Sequence, residues 1–217
     1  MGVMEKVLNQ CRQPAGVFGR CIARGMNVGH SRLWDWGLGH VFVPPEASIL
    51  DIGCGGGKVI RKLAGDIPGS RVWGIDYSED MVRMSRSVNR TFIRAGRVEV
   101  NRGCVSDLPF PEDMFDLVTA FETCYFWPAM IDDLMEVRRV LKPGGTLLMT
   151  NEAYEHARFA NRNSRLVKWG NINLYAPKEY RKFLSASGYS DIRVFELPSK
   201  NWISAVARKD EPPEAES

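Results

Sequence analysis

Short apolar runs alternate along this chain with stretches whose apolar residues lie three and four apart. Ser48-Ile49-Leu50-Asp51-Ile52, Arg71-Val72-Trp73-Gly74-Ile75-Asp76, Val98-Glu99-Val100, Phe115 to Phe121 and Thr146-Leu147-Leu148-Met149-Thr150 read as strands. Between them, Val59, Ile60 and Leu63 mark one helix; Met81, Val82 and Met84 mark another, capped by Ser78. Pro128 opens a third, with Met130, Ile131, Leu134, Met135, Val137, Val140 and Leu141 mostly on one face, and Lys142-Pro143-Gly144-Gly145 stops it. This alternation predicts βαβ units: an α/β fold with a largely parallel sheet and helices on both faces. The nearly unbroken apolar runs at 49–52, 117–121 and 146–150 suit strands buried on two sides.

The rhythm breaks over residues 152–176, which hold few periodic apolar positions and read as an excursion above the sheet. Ala176-Pro177-Lys178-Glu179 starts a further helix, and Gly188 caps its end. Ile192-Arg193-Val194-Phe195 and Trp202 to Val206 are two more strands, joined through Pro198-Ser199-Lys200-Asn201, and pair most simply as an antiparallel hairpin. Pro44-Pro45 separates an N-terminal helical cap or lid segment, residues 1–45, from the repeating domain at 46–208. Residues 209–217 are mostly polar and read as a disordered tail.

Composition narrows the class. With 217 residues, 44% hydrophobic and 25% charged, the chain is long enough for one cored domain. A net charge of +3 neither demands nor forbids nucleic acid. No window of 18 uncharged apolar residues predicts a membrane span, and the N-terminus lacks a secretory pattern. Five cysteines without a C-x-x-C pair exclude a zinc framework and suit reduced thiols in the cytoplasm, so no metal is expected.

The chemistry concentrates at Leu50-Asp51-Ile52-Gly53-Cys54-Gly55-Gly56-Gly57, between a strand and a helix. Glycines there let the chain turn sharply and let a ligand approach the backbone. Asp76 closes the next strand nineteen residues after Gly57, where an acid suits the two hydroxyls of a ribose. The competing reading is a tight turn with Asp76 capping the next helix. Lys58 is followed by Val59, so this is not a phosphate loop, and G-x-G-x-G departs from the dinucleotide fingerprint.

That loop, preceded by Leu-Asp-Ile, resembles motif I of the class I S-adenosylmethionine-dependent methyltransferases. Gly74-Ile75-Asp76-Tyr77-Ser78 is similar to the family's ribose-binding segment, Val105-Ser106-Asp107-Leu108-Pro109-Phe110 to its adenine-binding segment, and Phe115-Asp116-Leu117-Val118 to its fourth strand. Arg138 to Gly145 resembles the turn before the fifth strand; the likeness covers about residues 46–151. It implies a Rossmann-like sheet of seven strands, the last antiparallel. It also implies S-adenosyl-L-methionine as cofactor, with S-adenosyl-L-homocysteine as product. By that resemblance Gly53, Cys54, Gly55 and Gly57 face the methionine part and Asp51 orients its amino group. Asp76 takes the ribose, Tyr77 and Met81 flank the nucleoside, and Ser106, Asp107 and Leu108 meet adenine. Phe121 and Glu122 line the cofactor near the transferred methyl. Asp107 alone reads equally as a surface turn residue before Pro109.

Methyl transfer from a sulfonium needs an aligned nucleophile and a dry site, and a base only where a proton must leave. Glu122, Tyr125 and His30 are the catalytic candidates. Glu122 reads as cofactor-facing or structural before it reads as a base. Tyr125 and Trp127 either line an acceptor pocket or pack a loop. His30 titrates near neutrality; His40 reads as structural, and His156 follows the fifth strand. The arginines between Arg83 and Arg102 read as a solvated helix face, so nucleic acid is not the expected partner. The expectation is a methyltransferase acting on a small-molecule acceptor. An RNA or protein methyltransferase, or a cofactor-binding subunit without catalysis, is the alternative.

Overall fold

The computed structural model describes residues 31–211. His30, most of the expected cap and the end of the expected tail lie outside the described residues. The elements are α1 (Ser31–Leu38), β1 (Ser48–Ile52), α2 (Lys58–Asp66), β2 (Arg71–Asp76), α3 (Glu79–Val88), α4 (Arg90–Arg94), β3 (Val98–Arg102) and β4 (Phe115–Phe121). They continue with α5 (Met130–Val140), β5 (Leu141–Asn151), α6 (Ala160–Gly170), α7 (Pro177–Ala186), β6 (Tyr189–Leu197) and β7 (Trp202–Lys209), plus 3-10 turns at Cys124–Phe126 and Ala157–Phe159.

Seven strands form one sheet in the order β3-β2-β1-β4-β5-β7-β6. The pairs from β3 across to β5 are parallel, and β7 runs antiparallel to both β5 and β6. The hairpin expected from sequence is present, and its second arm is threaded between β5 and β6. This is the Rossmann-like seven-stranded α/β sheet that the sequence predicts.

Strand alternation splits the core between the two faces. In β1, Leu50 and Ile52 join Val118, Leu147, Leu134 and Tyr180 on one side. Ile49 joins Ile60, Leu63, Leu117 and Leu148 on the other. The helix faces match: Leu134 and Val137 of α5, and Ile60 and Leu63 of α2, are fully or almost fully buried. Truncating Leu134 to Ala would therefore cost about 2–5 kcal/mol.

Two stretches differ from the sequence reading. Lys142-Pro143-Gly144-Gly145 ends α5 as expected, but the chain enters β5 already at Leu141, which pairs with Phe115 before an irregularity in the ladder. Lys142 anchors this start by two hydrogen bonds to Asp116, at 2.8 and 2.9 Å. The excursion after β5 contains α6, whose Asn163 donates to the Tyr154 carbonyl at 2.7 Å, with Asn201 donating to Asn163 at 3.2 Å. A buried amide pair thus docks this helix where apolar periodicity does not.

Candidate cofactor pocket and acceptor rim

Chain order reverses between β1 and β4, which leaves a crevice beyond the carboxyl ends of these strands. Asp51 ends in that crevice and is buried at 2% exposure. Its partner in the β1–β4 register is Thr119, whose hydroxyl donates to Oδ1 at 2.7 Å. Burial raises the Asp51 carboxyl to about 7, the Thr119 bond opposes that rise, and the nearby Asp76 charge adds to it.

The glycine loop hangs between the two acids. Gly53, Gly55 and Gly57 all take left-handed backbone conformations. At Gly53 a Cβ would lie 2.3 Å from the Thr123 Oγ1, so the loop rests directly on the chain leaving β4. At Gly55 a Cβ would meet nothing within 4 Å, so this face of the loop is open. Asp76 closes the other side: it accepts the Gly55 N–H and the Ser78 N–H, each at 2.9 Å. Desolvation nonetheless raises its carboxyl pKa. Asp76 thus braces the glycine loop and the turn that leads into α3, whose N-cap is Ser78. Asn89 holds the far end of the loop by donating to the Gly57 carbonyl at 2.9 Å.

The remaining cofactor candidates are placed unevenly. Tyr77 stands partly exposed beside the β2 terminus. Met81 is buried in the first turn of α3. Cys54 turns its thiol inward, 4.0 Å from the Ser85 hydroxyl, so only its backbone faces the loop. Asp107 is exposed in a tight turn bridged to Cys104, and Leu108 is buried in the core. Ser106 donates its hydroxyl to Asp133 at 2.6 Å, while Asp133 also accepts the Ala129 N–H at 3.0 Å. The Ser106 side chain thus secures α5. Phe121 is buried beneath α1, where a Cβ on Gly37 would lie 3.1 Å from its ring.

On the acceptor side, Glu122 follows β4 in a left-handed conformation, unusual for a side chain with a Cβ. Its carboxylate accepts the Tyr125 hydroxyl at 3.2 Å and also the N–H of Glu152, at the end of β5. The Tyr125 hydroxyl in turn accepts the Ala153 N–H at 3.2 Å. Burial pushes the Tyr125 pKa well above its ordinary value. Tyr125 is therefore a buried strut between Glu122 and Ala153. Behind it, Asn151 donates to the Cys124 sulfur at 3.0 Å and to the Tyr180 hydroxyl at 3.1 Å. Burial pushes the Cys124 thiol up to about 12, so it is inert. Trp127 is core, not pocket lining. His40 stacks flat on Phe195 at 4.0 Å, and His156 accepts the Arg158 N–H.

Glu152 follows the fifth strand and reads from sequence as able to reach substrate; Thr119, Thr123 and Asn89 are not singled out there. Thr119 has one signal, a hydroxyl within the apolar run 117–121; the other two depend on contacts between distant segments.

Residues 49–145 match a family model described as a methyltransferase domain. Over that stretch, which holds the glycine loop, Asp76 and Asp107, the chain is similar to methyltransferases. The ubiquinone/menaquinone biosynthesis C-methyltransferase of Geotalea daltonii is 30% identical over 128 residues, 58% of this chain and 54% of that relative. The chain spans about half the length, or less, of the curated relatives it matches. The methyltransferase solved in complex with the Haloferax volcanii Trm112 activator superposes with a TM-score of 0.76 at 21% identity, covering 89% of this chain and 95% of that one. The [4+2]-cyclase SpnF gives a TM-score of 0.72 at 19% identity, covering 83% and 82%. The likenesses to solved structures establish the fold.

Proposed function

We propose that this domain binds S-adenosylmethionine in the crevice between Asp51 and Asp76 and transfers its methyl group to a small-molecule acceptor in the cytoplasm. The open left-handed face of Gly55, set between two buried carboxylates, carries this reading. A Cβ there would fill the space the methionine end needs, and the acids suit the two polar ends of the cofactor. Asp51 would hold the amino group and Asp76 the ribose hydroxyls. The backbone of Gly53, Cys54 and Gly57 would follow the methionine chain. Tyr77 and Met81 would flank the nucleoside, and Asp107 would accept from the adenine amino group, with Ser106 and Leu108 supporting its turn.

Bound there, the cofactor would supply an electrophilic methyl on a sulfonium. What the chain contributes is alignment and dryness. Glu122, fixed by Tyr125 and the Glu152 N–H, shapes the wall toward the acceptor and keeps negative charge beside it. Phe121 backs that wall from below. No helix among the described residues is long and apolar enough to cross a membrane.

Calorimetric titration tests the reading. Micromolar binding of S-adenosylmethionine and S-adenosylhomocysteine, with none of NAD, is expected. Absence of both overturns it. Binding with no methyl release to any acceptor would point instead to a cofactor-holding subunit without catalysis.

A further inference from the structure

The arginine-rich stretch touches the crevice residues through Arg102, which donates to the Tyr77 carbonyl at 3.1 Å, and its other arginines are not used there by the proposed function. Residues 83–102 hold six arginines against one glutamate, in a chain whose net charge is only +3. The structure arranges three of them. Arg86, Arg90, Ile93 and Arg94 of α3 and α4 face Val98 to Asn101 of β3 across a groove of about 420 Å³. Its floor is apolar: Val98 and Val100 are buried in one core cluster, and Ile93 packs against it.

β3 is an edge strand of the sheet. Val100 turns its carbonyl away from β2, and strand alternation gives Val98 the same direction. Among the described residues no strand covers that side. Arg86 caps it instead, donating Nε to the Val100 carbonyl at 2.8 Å and Nη2 to Asn101 at 3.3 Å. Arg90 and Arg94 are exposed, and no carboxylate among the described residues pairs with either. Glu99 projects from the opposite face of β3.

We infer that this edge docks an extended acidic segment of a partner protein, whose backbone continues the sheet and whose alternate carboxylates meet Arg86, Arg90 and Arg94. A free main-chain edge recognises a peptide backbone. An apolar floor receives side chains rather than phosphates. Guanidinium groups bind carboxylates in a forked geometry. On docking, Arg86 exchanges the Val100 carbonyl for a carboxylate, and the incoming amide takes the carbonyl. Charge is wanted on one face of the segment only, because the other face lies beside Glu99.

The probe is a fluorescent, N-acetylated nine-residue peptide alternating Thr and Glu. The expected result is salt-sensitive binding, weakened about tenfold or more by the double change Arg90→Glu and Arg94→Glu, with slowed hydrogen exchange at the Val98 and Val100 amides. A Thr/Lys peptide should bind the double variant better than the parent. Both arginines are exposed, so an unchanged melting temperature in the variant is the folding control. Cofactor titration, read separately, reports on the crevice and not on this edge. No peptide binding up to millimolar concentration, binding that ignores the double change, or tighter binding of a 12-nucleotide uridine RNA than of the peptide would each overturn the inference.

Discussion

The Thr119 hydroxyl reaches the Asp51 carboxylate at 2.7 Å from the directly paired position of the neighbouring strand. That single bond is the main stabilising contact of an acid buried in the crevice, and it leaves the acid far from its ordinary titration range. With the Asp51 carboxyl raised to about 7, against roughly 3.9 in an unfolded chain, the folded protein holds the proton more tightly. The contribution of Asp51 to stability is then complete below about pH 4 and is lost as pH rises through about 7. Asp51→Asn should remove this dependence. Urea unfolding should find the variant no more stable at pH 4 and more stable at pH 8, by up to about 4 kcal/mol. Equal pH profiles for variant and parent would show Asp51 to be charged throughout.

Asp76 joins the loop to the helix. Asp76→Ala leaves the Gly55 and Ser78 N–H groups without their acceptor, each such loss costing about 1–3 kcal/mol. S-adenosylmethionine affinity should fall at least about a hundredfold by calorimetry, the equivalent of roughly 2.7 kcal/mol. Unchanged affinity would remove the ribose role.

Two glycines separate folding from binding. Gly55→Ala places its methyl in open space, so stability should fall only by the left-handed strain of about 1–2 kcal/mol while cofactor binding is lost. Gly53→Ala drives a methyl against Thr123 and should lower the melting temperature further. Thermal unfolding with and without cofactor reads both effects. A Gly55→Ala protein that still gains stability from the cofactor would place the ligand elsewhere.

Tyr125→Phe deletes the hydroxyl that joins Glu122 to the Ala153 N–H. The expected cost is about 1–3 kcal/mol, a melting shift of roughly 3–10 °C for a chain of this size. Turnover should fall more than cofactor affinity, because the strut supports the acceptor side. Equal losses would assign it to the cofactor pocket.

The described cysteines should differ in reactivity. Cys104 is exposed, whereas Cys54 and Cys124 are buried and their thiol pKa values are pushed up. Mass mapping after brief alkylation at pH 8 should find Cys104 modified, and the other two only after denaturation.

Much of this arrangement was legible in the chain because local signals and fold agree there. The apolar runs of β1, β4 and β5 fixed the parallel core, and the loop from Gly53 to Gly57 with Asp76 announced the crevice. What stayed hidden is non-local. The residue facing Asp51 depends on the β1–β4 register, and nothing near Thr119 in sequence encodes that. Ser106 looked available to a ligand until α5 brought Asp133 to it. Tyr125 looked like a pocket residue, because burial is invisible to a motif of alternating polar and aromatic residues. Residues 160–170 fold as a helix held partly by the Asn163–Asn201 amide pair, which a search for apolar periodicity passes over.

The close approach of Gly53 to Thr123 makes the glycine loop and the chain leaving β4 one mechanical piece, which the proposed function would use as cofactor loop and root of the acceptor wall. A change of acceptor preference achieved by resizing residue 123 would shift the loop with it, so cofactor affinity and substrate scope would drift together. Diversification toward new acceptors is therefore easier from positions beyond this junction, such as Glu152 and the chain that follows β5, where the wall can be recontoured while the loop stays still.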